Sequence, residues 1–390
     1  FLFCLIEIIV LSPIVYVCVG DKTIISIRQK RKKEKKMQNN IYVDLHVLQT
    51  VPPSNINRDD TGSPKTAQYG GATRARVSSQ SWKRAMREYF KEHEEKENLG
   101  IRTKKILQSL ANVIMEKEQT IDEDSALKLA EKIFSFSKVK ISTKDQEAKA
   151  LFFLGGKQQE RLASYGVEHA DDLQAKEIQS ILKANQSIDV ALFGRMVADA
   201  PELNVDASSQ VAHAISTHEI ATEFDFFTAV DDLTPNDQSG AGMLGTVEYN
   251  SSTLYRYANV AVHELSSQLD DDKDALIEAL KLFVKSFVLS LPTGKINTFA
   301  NQTIPDALLV SVRSDRPVNL VNAFENPVKS QGGYVTGSIS RLKTEFEKVN
   351  RFAEAPIATF TVGDIEGLGE SKENLNELLR TFGETIDRLL

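Results

Sequence analysis

Apolar spacing along the chain predicts an α+β fold. Residues 41–48 alternate strictly, with Ile41, Val43, Leu45 and Val47 on one face, as a strand requires. Trp82, Ala85, Met86, Tyr89 and Phe90 recur instead at helical spacing. Both periods return later: 272–291 reads as an amphipathic helix, and Leu308, Val310 and Val312 alternate as a strand. The long-range order is strand, helix, strand, strand, helix, strand with insertions, which is the ferredoxin-like arrangement.

Each element follows from its local signals. Tyr42, Asp44, His46 and Leu48 form the second, mostly polar face of the first strand. Residues 51–76 are rich in Pro, Gly, Ser, Asn and Asp and read as a long loop, a length usually kept for function. Ser78 or Ser79 caps the helix that follows. Residues 101–186 read as mostly helical. Ile188, Val190 and Leu192 alternate as a strand ending at Gly194, and 206–220 reads as a short helix. Strands are expected at 254–260 and 357–362, and helices at 338–352 and 371–389.

The first 36 residues differ from the rest. Residues 1–20 are almost continuously apolar and 28–36 almost continuously basic, the form of a membrane span with a basic flank. The first Met is Met37, and Lys and Glu codons are purine-only. The run before Met37 therefore looks like a translated ribosome-binding site, and 1–36 is expected to be an over-extended reading frame. Without those residues the chain keeps 39 basic against 51 acidic groups, a net of −12, and loses both cysteines, Cys4 and Cys18. A Cys-free body fits a reducing cytoplasm and excludes disulfides and thiolate metal sites. Its acidity excludes general attraction to nucleic acid, so any such binding needs a local basic surface.

One such surface is visible. Between residues 58 and 87 lie seven basic residues (Arg58, Lys65, Arg74, Arg76, Lys83, Arg84, Arg87) and two acidic ones, Asp59 and Asp60. Lys83 and Arg87 are four apart and share a helix face. A helix start with hydroxyls, an amide and flanking cations suits a phosphate backbone. On composition alone, a solvated helix face after a flexible loop is the better explanation of the run.

Several motifs then carry a resemblance. Asn57-Arg58-Asp59-Asp60, Tyr69-Gly70-Gly71 and Arg74-x-Arg76-Val77-Ser78-Ser79-Gln80-Ser81-x-Lys83-Arg84-Ala85-Met86-Arg87 lie in the basic region. Asp189 to Met196, His213 to His218, Phe227 to Asp232, Leu244-Gly245-Thr246, Tyr255 to Asn259 and Asn322 to Glu325 follow. Together they resemble the CasC family, the backbone subunits of type I-E CRISPR Cascade complexes, from about Met37 into the last third. The resemblance implies an RRM-like palm at 37–100 and 187–390, helical fingers inserted at 101–186, and a β-hairpin thumb inserted at 221–252.

In function it implies a non-catalytic subunit that polymerises along crRNA and presents it to target DNA. Expected partners are crRNA, target DNA, further copies of the chain, the large and small subunits, CasD and the CasE endonuclease, with no membrane and no cofactor. By match, Lys65, Arg74, Arg76, Ser78, Gln80, Lys83 and Arg87 contact RNA backbone and Met196 lies against bases. Phe227 and Leu244 form the thumb's apolar wedge. Two departures stand out: Ala72-Thr73 replaces cations seen in some relatives, and the first strand lacks an aromatic stacking signature.

Sites with a catalytic look are weak. His213 and His218 are five apart, share no helix face and lack an HExxH or Cys partner, so no metal site is expected. Gly332-Gly333 lacks the pattern of a phosphate loop. The competing function is a metal-dependent ribonuclease of the same superfamily using Asp59 or Asp60, since related type III subunits cleave with a loop aspartate.

Overall fold

The computed structural model describes residues 9–11, 14–16, 40–142, 145–229, 243–365 and 367–390. Most of 1–36 and the Val230-Asp231-Asp232 part of the thumb motif lie outside the described residues. The chain divides into two units, Phe1–Asn40 and Ile41–Leu390. In the first, β1 (Ile9–Leu11) pairs antiparallel with β2 (Ile14–Tyr16). No helix among the described residues is long and apolar enough to cross a membrane.

The second unit is an α+β structure built on one large sheet. At its centre lies β3 (Tyr42–Ser54), flanked by β11 (Met243–Ala261) and β12 (Ala307–Arg313), both antiparallel to it. Beyond β11 come β8 (Ser209–Val211), β9 (Ala214–Ser216), β5 (Ala72–Val77) and β4 (Thr66–Tyr69). Beyond β12 come β13 (Ala358–Gly363) and a parallel two-residue β14 (Glu370–Ser371). The series β3, α1 (Ser79–His93), β8/β9, β11, α8 (Lys273–Leu289), β12 is the ferredoxin-like unit. Its spatial order β12-β3-β11-β9 places the first and third strands in the middle.

Both sheet faces are covered. Val43, Leu45 and Val47 pack with Trp82, Met86 and Phe90 of α1, Phe283 and Phe287 of α8, and Leu378 and Phe382 of α11 (Leu375–Leu389). On the other face Leu48, Tyr255, Tyr257 and Leu309 pack against Phe324 and against Ile339 and Leu342 of α10 (Val335–Val349). The face expected to be polar is therefore buried, and Asp44 and His46 sit inside it. A separate core holds α2 (Ile106–Lys117), α3 (Glu123–Ser135), α4 (Gly156–Glu168) and α5 (Ala175–Lys183). It also holds Phe152 and Leu154 of β7 (Phe152–Gly155), which pairs with β6 (Gly100–Thr103).

Three local expectations are corrected. Ile188–Phe193 is a helix, α6, not a strand. Its Asp189, Val190, Ala191 and Leu192 are all buried, so alternation carried no information, and Gly194 at φ +78° ends the helix. The span 206–220 forms the short strands β8 and β9 rather than a helix, because β11 offers them an edge. About half of 51–76 is strand and the rest is loop: β3 runs on to Ser54, residues 55–65 stay irregular, and β4 and β5 form a hairpin about Gly70-Gly71. Both glycines have positive φ, as a tight two-residue hairpin turn needs. A Cβ on Gly70 would sit 1.6 Å from the Glu325 carbonyl oxygen.

Candidate nucleic-acid interface

The first turn of α1 is tied to the hairpin before it. Ser78 is the helix cap, its Oγ accepting from Ser81 N at 3.4 Å. Its own N–H donates to Asn57 Oδ1 at 2.8 Å, while Asn57 O accepts from Lys65 N at 2.9 Å. One asparagine thus sets Lys65 beside the helix start. Arg76, on β5, donates from its own N–H to Lys65 O at 2.8 Å, and from Nε to Thr66 O at 3.0 Å. Gln80, exposed in the first turn, begins a stripe continued at helical spacing by Lys83 and Arg87.

Lys83 and Arg87 both stand on aromatic rings, and Arg87 also faces a buried acid. Lys83 Nζ lies 5.6 Å from the Phe193 ring centre, and partial burial lowers its pKa. Arg87 lies 4.5 Å over the Phe153 ring, with Nε 3.6 Å from Asp189 Oδ2. Neither donates a side-chain hydrogen bond to a described residue. A ring face holds a cation through its quadrupole while leaving the N–H donors free. Asp189 is itself buried, accepts from Gly100 N at 2.9 Å, and has its pKa raised by burial.

Met196 follows directly. It is 85% exposed, an unusual position for a large apolar side chain. Its neighbour Arg195 is buried and donates to the carbonyls of Leu203, Phe153 and Leu182, and burial brings its pKa to about 10. That anchor fixes the loop that presents Met196.

Not every expected contact is on the surface. Arg74 is fully buried and donates to the carbonyls of Tyr69, Ser216, Phe324 and Glu325, so its place as an RNA contact is corrected. It ties the β4–β5 hairpin to distant segments. Arg58 and Arg84 line a different groove, of about 860 Å³, with Tyr89, Glu92 and Leu289. Of the seven cations, four remain as candidate backbone contacts: Lys65 and Arg76 on the hairpin, and Lys83 and Arg87 on the helix stripe.

The thumb segment is a two-stranded ribbon where it is described. β10 (Glu223–Ala229) pairs with the start of β11. Phe227 is opposite Gly245 and Leu244 opposite Thr228, so the two expected wedge residues are not cross-strand partners. The side chain of Leu244 lies outside the described residues. The Phe227 ring lies across Gly245, where a Cβ would come within 2.3 Å of its Cζ. Phe224 and Phe226 are more exposed than Phe227 and were missed; two aromatics at i and i+2 flanking an acid, Asp225, were the available signal. Residues 221–252 carry six acidic and no basic residues, so any grip this ribbon has on a polyanion does not come from cationic side chains.

Two of the catalytic-looking groups, Asp59 and His218, have structural places. Asp59 Oδ1 accepts from Thr61 N, Thr61 Oγ1 and Ser63 N, which closes its loop and lowers its pKa. His218 is buried and stacked on Tyr334 at 3.5 Å, donating from Nδ1 to Glu219 O and accepting at Nε2 from Thr253 N. Among the described residues, no three His, Cys, Asp or Glu side chains converge as metal ligands.

The fold is one found in subunits of CRISPR surveillance complexes. A chain of a "CRISPR RNA-guided surveillance complex, pre-nicking" superposes with a TM-score of 0.77 at 32% identity, over 88% of this chain and 100% of the other. A chain of a second "CRISPR RNA-guided surveillance complex" gives 0.68 at 29% identity, over 88% and 99%. Among curated proteins no sequence matches. The sequence model of the CT1975-like Cas protein family matches residues 43–388, and the chain belongs to that family.

Proposed function

We propose that the chain is a non-catalytic, guide-RNA-binding backbone subunit of a type I-E CRISPR Cascade complex, working in the cytoplasm. Copies polymerise along crRNA, hold its backbone, and present its bases to target DNA beside the large and small subunits, CasD and the CasE endonuclease. The observation that carries this reading is the Lys83–Arg87 stripe, two cations held over Phe193 and Phe153, together with an exposed Met196 whose neighbour Arg195 donates to Phe153 O. Cations grip phosphates whatever the base, and an exposed apolar side chain meets bases without reading them. A guide differs in every complex, so its coat needs that indifference. The place of Asp59 in a loop closure supports a non-catalytic role.

The test is to purify Met37-initiated protein from cells expressing a CRISPR array. Co-purification with a short RNA of uniform length is expected. Protein free of RNA, or cleavage of bound RNA in Mg²⁺ that Asp59→Ala or Asp60→Ala abolishes, would overturn the reading.

A further inference from the structure

His213 stands beside Arg76 and Lys65 and has no part in the function proposed for them. It is exposed, two residues beyond β8, and its Nδ1 lies 3.2 Å from Arg76 Nη1. Since a guanidinium only donates, Nδ1 is the acceptor and the ring proton is on Nε2. Arg76 on β5 and Lys65 ahead of β4 are the charged groups acting on the ring, and both are positive. Among the described residues no carboxylate lies within salt-bridge distance of Lys65, Arg76 or His213. Two cations with no acid beside them oppose a charge on the ring, and a bound anion removes that cost.

We propose that His213 is a further contact to the RNA backbone, one that takes up a proton as a phosphate arrives and so makes RNA binding tighter as pH falls. The inference rests on the RNA-binding function proposed for the chain and adds its regulation. In the free protein, partial burial and the charges of Arg76 and Lys65 hold the imidazole below its ordinary pKa. A phosphate between the three groups reverses the charge effect. The ring then binds a proton from the buffer at Nδ1 and ceases to accept from Arg76. Imidazolium and guanidinium both turn their donors to the phosphate oxygens, and no covalent bond changes.

The experiment measures binding of a single-stranded RNA oligonucleotide of mixed sequence at fixed salt, from about pH 8 to about pH 6. A pKa raised by one unit on binding tightens the wild type by roughly three- to sixfold across that range. His213→Gln keeps an acceptor for Arg76 and cannot charge, and His213→Lys is charged throughout; in both the ratio of affinities falls towards one. Calorimetry of the wild type near neutral pH, in two buffers of different ionisation heat, reads the proton directly. Thermal melting of both variants checks that they fold.

Uptake of a proton by the wild type and its loss in His213→Gln support the assignment. RNA binding with the full pH ratio retained in His213→Gln, or with no proton taken up, overturns it and leaves the RNA-binding function standing. No RNA binding by the wild type at any pH overturns both.

Discussion

The Arg256 guanidinium lies 3.8 Å from the ring centre of Trp82. It joins the central sheet to the helix that carries Lys83 and Arg87. Its other face meets Phe287, and its nitrogens donate to Gln49 Oε1 and Phe287 O. Burial of that charge brings its pKa to about 9. Trp82→Ala removes the ring from a fully buried site and leaves a cavity beside a buried cation. A loss of about 3–5 kcal/mol is expected in urea unfolding. A loss under about 1 kcal/mol would mean that α1 is held mainly by other contacts.

The charge stripe makes a different prediction. Lys83→Glu with Arg87→Glu reverses two cations that have aromatic rings beneath them. RNA affinity falls for all guide sequences alike. The slope of log affinity against log salt shrinks by about one for each phosphate no longer gripped. Filter binding with several unrelated RNAs at three salt concentrations measures both. Weakening confined to some sequences contradicts a backbone contact.

How far the sequence reached depends on where the determining atoms sit. Ser78 and the Trp82-Met86-Phe90 face were legible because cap and stripe are local to one helix. Ile188–Phe193 was not, since a segment buried on all sides shows no period. Arg74 looked like its neighbours Arg76 and Lys83, but its acceptors come from residues 216, 324 and 325, which no local pattern reveals. The rings beneath Lys83 and Arg87 also come from distant segments, so a run of cations was visible and its pedestal was not. The Gly70-Gly71 turn was a missed local signal.

The buried polar face of β3 predicts a pH effect on stability. His46 is fully buried, with Nδ1 2.9 Å from Tyr255 Oη, and burial lowers its pKa to about 3. The unfolded ring takes a proton near its ordinary value of about 6.5, so between there and the folded value the unfolded state binds more protons. Stability from His46 is therefore present at neutral pH and lost as pH falls. Asp44, on the same face, acts oppositely. Burial raises its pKa to about 7 against the bond from Tyr257 Oη, so its contribution is lost as pH rises. The difference between wild type and His46→Asn isolates the histidine's share. It should shrink by about 1.4 kcal/mol per pH unit below about pH 6.5 in urea titrations. A constant difference rules out a neutral buried imidazole.

Gly245 gives the sharpest test of the thumb. The Phe227 ring occupies the space a side chain would take there, with distances of 2.3, 2.7 and 3.0 Å to a built Cβ. Covering a cross-strand glycine with an aromatic ring orders that ring on the ribbon. Gly245→Ala must therefore push the ring aside, while leaving Phe227 in the sequence. The ribbon stands outside the buried cores, so the melting temperature of the whole protein is expected to stay nearly unchanged. If Phe227 separates bases from a fixed position, Gly245→Ala and Phe227→Ala share one defect: RNA loading persists and capture of target DNA weakens. Both are read by gel shift of the assembled complex, first with guide and then with target. Normal capture by Gly245→Ala alongside weak capture by Phe227→Ala would show that the ring's presence matters and its position does not.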